Sequence, residues 1–219
     1  MKVAAVVQAR MSSRRFPGKV LALFRNEPTI MHVLRAVASA VDAGSIAVAT
    51  STHQSDDVLA EFLEAKRVAV IRGDLENVLA RFQQAARVTG ADWILRVNAD
   101  SPMLDGGVLR RVLEGARTGS WDLVTTIFPR TFPKGRNAEA IRSGALLGVD
   151  AQAATAEERE HVTRYFYSRP AQYRILNIES GNPLLANESL AVDTPDDLAR
   201  LEAMGETALA AYASPRPAR

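Results

Sequence analysis

VAAVVQARMSSRRFPGK, residues 3–19, is the stretch that decides the fold class. Its first five residues are alanine and valine, which is typical of a buried strand that is covered on both faces. Four cations and two serine hydroxyls follow within residues 10–19. Because open α/β sheets bind their ligands beyond the carboxyl ends of the strands, this order predicts a parallel sheet with a binding loop after its first strand.

The alternation of strand and helix continues through residue 127. Further apolar runs predict strands at 46–50, 68–71, 93–97 and 123–127. Apolar residues at three- and four-residue spacing predict helices at 30–41, 56–66, 77–88 and 108–117, the second of them capped by Ser55. We therefore expect an α/β fold, with a mostly parallel, Rossmann-like sheet and helices on both of its faces.

The pattern changes after Pro129, where prolines and a glycine interrupt it. We expect a single domain over residues 1–213 that contains a small β/α insertion over about residues 129–178, followed by a disordered tail at 214–219. The elements expected here are an extended piece at 138–141, a helix at 156–167, strands near 173–178 and 190–192, and a final helix from Pro195 to about Tyr212.

The composition excludes several classes of protein. The 219 residues include 27 lysines and arginines and 25 aspartates and glutamates, a net charge of +2, so a nucleic-acid partner is not expected. The chain has no cysteine, which excludes a disulfide framework, a thiolate zinc site and a thiol nucleophile. No apolar run approaches the ~18 residues of a membrane span and the first strand is too short for a signal peptide, so we expect a cytoplasmic protein without membrane association.

The loop after the first strand is the first candidate site. Its cations, serine hydroxyls and backbone N–H groups suit a polyphosphate. It matches neither the Gly-rich dinucleotide fingerprint nor the GxxxxGK[ST] phosphate loop. The alternative interpretation is a solvated basic turn.

Two aspartates form the second candidate site. Asp100 follows the strand predicted at 93–97, and Asp193 follows the strand predicted at 190–192. In a parallel sheet both carboxylates would lie at one edge, opposite the loop of residues 10–19, where they suit Mg²⁺ and substrate phosphates. The alternatives are a turn or cap role for Asp100 and a helix cap for Asp193, while Asp105 is expected to be an N-cap.

Five motifs resemble those of the CTP-dependent sugar cytidylyltransferases, which include the 3-deoxy-manno-octulosonate and acylneuraminate enzymes. The branch most similar to this chain is that of the spore-coat polysaccharide biosynthesis proteins of the SpsF type. The resemblance covers residue 3 to about residue 202. The motifs are ARMSSRRFPGK at 9–19, RGDLENVLAR at 72–81, NADSP at 98–102, EREHVT at 158–163 and VDTPDDL at 192–198.

The resemblance implies a nucleotide-diphospho-sugar transferase-like fold and transfer of CMP from CTP to a small acidic sugar or phosphonate-like acceptor, by a homodimer built largely on the insertion. It implies nucleotide binding by Ala9, Arg10, Ser12, Ser13, Arg15, Lys19, Arg72, Asp74, Asn77, Arg81 and Asn98. It implies catalytic roles for Arg15, Lys19 and Asp100, with Mg²⁺ held by Asp100 and Asp193. It implies acceptor binding by Gly135, Asn137, Glu139, Arg159 and His161, the last two near the acceptor or a subunit contact.

Two positions depart from the family pattern. Asn137 stands where the acceptor loop usually has aspartate, and Ala99 stands where glycine usually precedes the metal aspartate. Two other functions therefore remain open. One is a glycosyltransferase of similar fold that reads residues 98–100 as a degenerate DxD motif, and the other is a nucleotide-binding homologue without activity. Residues 158–160 also fit a simple charged helix face.

Overall fold

The computed structural model describes residues 1–205 and residue 212. Its main sheet has seven strands in the order β5-β4-β1-β6-β8-β7-β9. They are β1 (Val3–Gln8), β4 (Ile46–Ser51), β5 (Ala69–Gly73), β6 (Trp93–Asn98), β7 (Leu123–Thr125), β8 (Glu139–Arg142) and β9 (Ile175–Asn177), and a separate hairpin pairs β2 (Leu23–Phe24) with β3 (Glu27–Pro28). Only β8 runs antiparallel to its two neighbours in the main sheet, so the predicted mostly parallel sheet is confirmed.

Eight α-helices lie in the described part of the chain. They are α1 (Thr29–Ala38), α2 (Asp57–Ala65), α3 (Val78–Thr89), α4 (Gly106–Arg117), α5 (Ser143–Leu147), α6 (Ala156–Glu160), α7 (Arg164–Tyr167) and α8 (Pro195–Glu202). Among these helices, none is long and apolar enough to cross a membrane.

The helices cover both faces of the sheet, as predicted. Successive side chains of a strand point to opposite faces, and β1 divides accordingly. Ala5 and Val7 pack with apolar residues of α1, α2 and α4. Ala4 and Val6 pack with apolar residues of α3 and of the region around α5 to α7. A strand with both faces buried positions the loop that follows it rigidly, because each face is fixed by a separate cluster.

Four sequence predictions are wrong in detail. The helix predicted at 156–167 is two short helices, α6 and α7, because the chain leaves helical geometry at His161 (φ −111°, ψ 75°). Residues 190–192 form no strand and instead follow the isolated bridge of Ser189 with Lys134. Ser55 does not cap α2, because its hydroxyl lies 2.9 Å from His53 Nδ1 and α2 begins at Asp57, after Asp56, whose carboxylate binds the first loop.

The final helix ends at Glu202, short of its predicted end at about Tyr212. Residues 206–211, the predicted domain end at residue 213 and the predicted tail at 214–219 lie outside the described residues. The cap at Asp105 is found as expected, since its side chain accepts a hydrogen bond from the backbone N–H of Gly107. The alternative of a helix cap at Asp193 is wrong, because Thr194 caps α8 by accepting from the N–H of Asp197.

Gly135 is required by the packing of the loop before β8. Its φ is +94°, a conformation that only glycine adopts readily. A Cβ at this position would lie 2.5 Å from the backbone carbon of Leu190. The contact brings the chain at residues 133–136 against the segment that leads to Asp193, so this glycine serves the shape of the site.

We expect Gly135→Ala to destabilise the protein by about 2 kcal/mol or more, because it adds both backbone strain and a clash with backbone atoms. Chemical denaturation measures the loss. Gly144→Ala is the matched control, since a Cβ at Gly144 meets nothing within 4 Å, and it should leave stability unchanged or slightly higher. Equal stability of the two variants would contradict this account of Gly135.

Candidate active site

A cavity of about 590 Å³ opens at the carboxyl ends of β1 and β6. Most of its lining is charged or polar. The lining residues are Gln8, Ala9, Arg10, Ser12, Ser13, Arg14, Arg15, Lys19, Val20, Leu75, Glu76, Arg96, Asn98, Asp100, Glu160, His161 and Asp193. The cavity thus collects the first loop, the NADSP segment and Asp193, which are 80 to 180 positions apart in sequence.

The first loop, defined as residues 9–19, is closed on itself by the backbone. The Met11 carbonyl accepts hydrogen bonds from the N–H groups of Ser13 and Gly18, both at 2.9 Å, and Gly18 takes φ +76° to make the turn. In the part of the chain that the structure describes, the backbone N–H groups of Ser12, Arg14 and Arg15 make no hydrogen bond. A loop with free N–H groups and several cations is suited to bind phosphate oxygens.

Asp56 fastens this loop to the neighbouring strand. The side chain is fully buried, and its Oδ1 accepts a hydrogen bond of 2.7 Å from the Met11 N–H. Its Oδ2 accepts bonds from the Thr50 hydroxyl and from the N–H and hydroxyl of Ser51 at the end of β4. Burial alone would raise the pKa of Asp56, but these hydrogen bonds favour the carboxylate and hold the pKa below its usual value.

Lys19 joins the two candidate metal aspartates. Its Nζ lies 2.6 Å from Asp100 Oδ2 and 3.0 Å from Asp193 Oδ1, and it also donates to the Val192 carbonyl at 2.9 Å. The Lys19 side chain is 12% exposed, and those of Asp100 and Asp193 are 23% and 14% exposed. The prediction that both carboxylates lie at one edge, facing the first loop, therefore matches their placement, although no strand precedes Asp193.

Asp193 has two more cationic partners. The Arg15 guanidinium lies 3.0 Å from Oδ1, and the Lys134 ammonium binds Oδ2. Burial would raise the pKa of Asp193, but the hydrogen bonds from Lys134 and Lys19 outweigh burial and lower the pKa to about 2. Asp193 is therefore a carboxylate at any physiological pH, surrounded by three cations that also suit phosphate oxygens.

The insertion reaches the first loop through Glu160. Its carboxylate lies 2.8 Å from the Arg10 guanidinium, and this hydrogen bond lowers the pKa of Glu160. His161, which follows it at the end of α6, lines the same cavity. Arg159 points elsewhere and donates to the Ala154 carbonyl at 2.7 Å. Of the EREHVT motif, the cavity thus receives Glu160 and His161.

The segment RGDLENVLAR reaches the cavity through residues that the motif did not single out, namely Leu75 and Glu76. Asp74 accepts from the N–H groups of Glu76 and Asn77, and Asn77 caps α3. Arg72 donates to the Ser51 carbonyl and pairs with Asp57. These three side chains shape the segment.

Arg81 lies beneath this segment and does not line the cavity. It is 1% exposed, and its three guanidinium nitrogens have no hydrogen-bond partner within the described residues. Burial lowers its pKa, while Asp56 favours the charged form. Arg81 lies near the predicted base pocket, and its guanidinium N–H groups could donate there. Its role in binding nucleotide stays a prediction.

The predicted acceptor residues other than Arg159 lie in two regions, at the cavity with its wall and in the loop before β8. His161 lines the cavity. Glu139 is 1% exposed and lies behind the cavity, paired with the cavity residue Arg96. Asn137 accepts a hydrogen bond of 2.6 Å from Arg130, and Gly135 supports the loop that carries Lys134. The structure brings Glu139 and His161 to the cavity or its wall, and their roles stay predictions.

Besides Leu75 and Glu76, sequence reasoning missed five polar or charged residues of the site. They are Gln8, Asp56, Arg96, Lys134 and Glu160. Glu160 stood inside the EREHVT motif and Lys134 directly before the predicted acceptor residue Gly135, so their charge next to a predicted binding residue was a usable signal. Gln8 ends β1 and Arg96 lies two residues before the end of β6, near the carboxyl edge where side chains are expected to face a ligand. Nothing in the sequence pointed to the contact of Asp56 with Met11.

A family model described as cytidylyltransferase matches residues 4–213. The chain belongs to the cytidylyltransferase family. The spore coat polysaccharide biosynthesis protein SpsF of Bacillus subtilis strain 168 is 30% identical over 209 residues, which cover 93% of this chain and 86% of that protein. A 3-deoxy-manno-octulosonate cytidylyltransferase of Pelobacter propionicus is 34% identical over 104 residues, covering 48% of this chain and 40% of that enzyme.

A solved structure of a cytidylyltransferase from Leptospira borgpetersenii superposes with a TM-score of 0.86 at 26% identity, covering 92% of this chain and 85% of that chain. The expected fold of this cytidylyltransferase is thereby confirmed. The cavity lies beyond the carboxyl ends of β1 and β6, where open α/β sheets generally bind their ligands.

We expect Asp56→Asn to destabilise this cytidylyltransferase by about 1–3 kcal/mol at pH 7, because an amide satisfies fewer of the four donors around Asp56. The pKa of Asp56 is lower in the folded protein than in the unfolded chain, so its contribution is complete above the unfolded value of about 4 and is lost as the pH falls from there through the lower folded pKa. Urea denaturation from pH 7 to pH 3 should therefore show a smaller acid-induced loss in the variant.

Asp42→Asn is the control, because Asp42 is exposed and makes no side-chain hydrogen bond among the described residues. Parallel stability curves for Asp56→Asn and the wild-type protein across this pH range would show that Asp56 does not anchor the loop as a carboxylate.

Proposed function

We propose that this cytidylyltransferase transfers CMP from CTP to a small sugar acid and releases pyrophosphate, in the synthesis of a surface polysaccharide or glycoconjugate. The observation that carries the proposal is the contact of Lys19 with Asp100 and Asp193 beneath the first loop. The similarity to SpsF supports the polysaccharide context. The similarity to a 3-deoxy-manno-octulosonate cytidylyltransferase supports a sugar acid as the acceptor.

The reaction asks for positioning and charge stabilisation. An acceptor hydroxyl oxygen attacks the α-phosphorus of CTP, the bond to the bridging oxygen breaks, and pyrophosphate leaves with that electron pair. Arg15 and Lys19 would neutralise the charge that develops on the α-phosphate oxygens. The free N–H groups of Ser12 and Arg14 would hold the remaining phosphate oxygens. Because the acceptor oxygen itself attacks the phosphorus, no protein nucleophile is needed.

The residues of the site fit Mg²⁺. Two oxygens, one from Asp100 and one from Asp193, lie 2.6 and 3.0 Å from the same Lys19 nitrogen, so they can be no further apart than the sum of these distances. Mg²⁺ prefers one or two carboxylates together with substrate phosphates. Among the described residues no cluster of three or more acidic or histidine side chains competes for a metal. Asp100 and Asp193 would hold the ion, which supplies charge neutralisation and orientation of the phosphates.

Two further parts of the proposal rest on the family resemblance. The nucleotide base would lie toward the segment of residues 72–81, and the acceptor toward the insertion. A two-fold dimer built largely on residues 129–178 stays a prediction that light scattering at micromolar concentration tests.

Nucleotide choice tests the proposed function first. We expect CTP with Mg²⁺ to raise the melting temperature more than ATP, GTP or UTP does, since a ligand at about 100 times its Kd adds about 2.7 kcal/mol of stability. Pyrophosphate should then be released from CTP only when a sugar acid, such as 3-deoxy-manno-octulosonate or an acylneuraminate, is present. Consumption of a nucleotide sugar would support a glycosyltransferase instead. Binding of CTP without release under any condition would support a non-catalytic homologue.

Removal of either aspartate tests the shared metal. We expect Asp100→Asn and Asp193→Asn each to lower turnover roughly 10²-fold or more, because the triphosphate charge is then poorly neutralised. The melting temperature of the ligand-free protein should fall in both variants, because each loses a carboxylate that pairs with Lys19, so turnover is compared per folded protein. Asp196→Asn is the matched control: its side chain is exposed on the first turn of α8. If Asp193→Asn keeps wild-type turnover at limiting Mg²⁺, the two aspartates do not share the metal. Asp100 would then be the remaining candidate ligand.

A further inference from the structure

A chain of hydrogen bonds runs from the insertion to the floor of the cavity. The Tyr167 hydroxyl of α7 donates to Glu139 Oε1 at 2.5 Å, and Glu139 Oε2 binds the Arg96 guanidinium. The other terminal nitrogen of Arg96 donates to Gln8 Oε1 at 2.9 Å. Arg96 and Gln8 line the cavity, whereas Glu139 and Tyr167 lie behind it. The proposed mechanism uses none of these four residues.

The direction of each bond in this chain is fixed by chemistry. Arginine has only donors, so the atom of Gln8 that faces Arg96 must be the amide oxygen. At the other end, burial raises the pKa of Tyr167, so its hydroxyl keeps its proton and gives it to Glu139. The Thr125 hydroxyl, 2.7 Å from the Tyr167 oxygen, must then act as the donor in that contact. This series of hydrogen bonds therefore has a single arrangement of its hydrogen atoms.

In this arrangement the amide oxygen of Gln8, a cavity-lining residue, faces Arg96, and its amide nitrogen is left for another partner. Within the described residues that nitrogen has no hydrogen-bond partner. Gln8 is the last residue of β1 and pairs in register with Asn98, the last residue of β6, which also lines the cavity. Two N–H donors are thus presented by a side chain that cannot flip, because flipping would set the amide nitrogen against the guanidinium of Arg96.

The position of Gln8 separates the two sides of the cavity. On one side of β1 lie β4 and β5, followed by Leu75 and Glu76, and on the other side lie β6 and β8. The bond from Arg96 holds the Gln8 side chain on the β6 side. β8, which belongs to the insertion, lies on that side next to β6. A group bound by Gln8 therefore belongs to the second substrate rather than to the nucleotide base.

We propose that Gln8, held by Arg96, Glu139 and Tyr167, is a specificity residue that donates a hydrogen bond to the carboxylate of the sugar-acid acceptor. This inference rests on the proposed function. A carboxylate oxygen can only accept, and Gln8 in its fixed orientation can only donate at this position. Glu139 balances the positive charge of Arg96, so Gln8 acts as a neutral donor. A neutral donor favours the carboxylate of the acid without binding every anion in the cavity tightly.

Replacement of Gln8 by glutamate and by methionine tests the proposal. Gln8→Met removes the donor and keeps the size, so we expect the KM for the acid to rise at least about tenfold. Gln8→Glu keeps the bond to Arg96 and presents a carboxylate oxygen, so the KM for the acid should rise further through like-charge repulsion. The KM for CTP and the CTP-induced rise in melting temperature should change less than the KM for the acid in both variants.

The amide of the acceptor acid separates a carboxylate contact from a general charge effect. An amide NH₂ can donate to the carboxylate of Gln8→Glu, so the ratio of the KM for the amide to the KM for the acid should fall at least about tenfold in this variant. Gln152→Glu, an exposed position, is the control for added surface charge. An unchanged ratio, or equal effects on CTP and acid, would overturn the proposal.

Failure of the proposed function gives a different result. If the wild-type protein releases no pyrophosphate from CTP with any sugar acid, the transferase assignment falls and the carboxylate contact falls with it. If the wild-type protein is active and Gln8→Met has the wild-type KM for the acid, only the role of Gln8 is overturned.

Discussion

The ammonium group of Lys19 is the contact on which the active site depends. It joins the first loop to Asp100, Asp193 and the Val192 carbonyl, and so ties the loop to two segments that are 81 and 173–174 positions from Lys19 in sequence. Opposite charges about 4 Å apart attract by about 4 kcal/mol at an effective dielectric constant of 20, before the cost of desolvation. Arg15 and Lys134 add to this cluster, so Asp193 is held by cations that also suit the phosphates of a nucleotide.

The sequence was informative wherever a side chain follows a strand directly. The strand before residue 8, the strand before Asp100 and the basic loop were all predicted from local pattern, because burial on both faces marks such strands and ligand residues follow their carboxyl ends. Asp193 was placed correctly by its motif, although the strand expected before it is absent. There the chain is positioned by contact with the loop around Gly135, which no local pattern reveals.

The contacts that sequence reasoning missed share one property: they cross between segments. Asp56 looked like part of a helix start, yet its carboxylate holds Met11, 45 positions away. Glu160 looked like part of a charged helix face, yet it binds Arg10 across 150 positions. The helix predicted at 156–167 failed for a related reason, since the break at His161 turns this end of α6 toward the cavity. Amphipathic spacing predicts a helix but not a break that serves a site.

A crystal soaked with CTP and Mn²⁺ tests the central claim most directly, because the anomalous scattering of manganese locates the metal independently of the other ligands. The account predicts a manganese peak between the carboxylates of Asp100 and Asp193, with Lys19 Nζ moved from between them to a phosphate oxygen. A manganese ion bound elsewhere, with Lys19 still bridging the two aspartates beside a bound triphosphate, would contradict it.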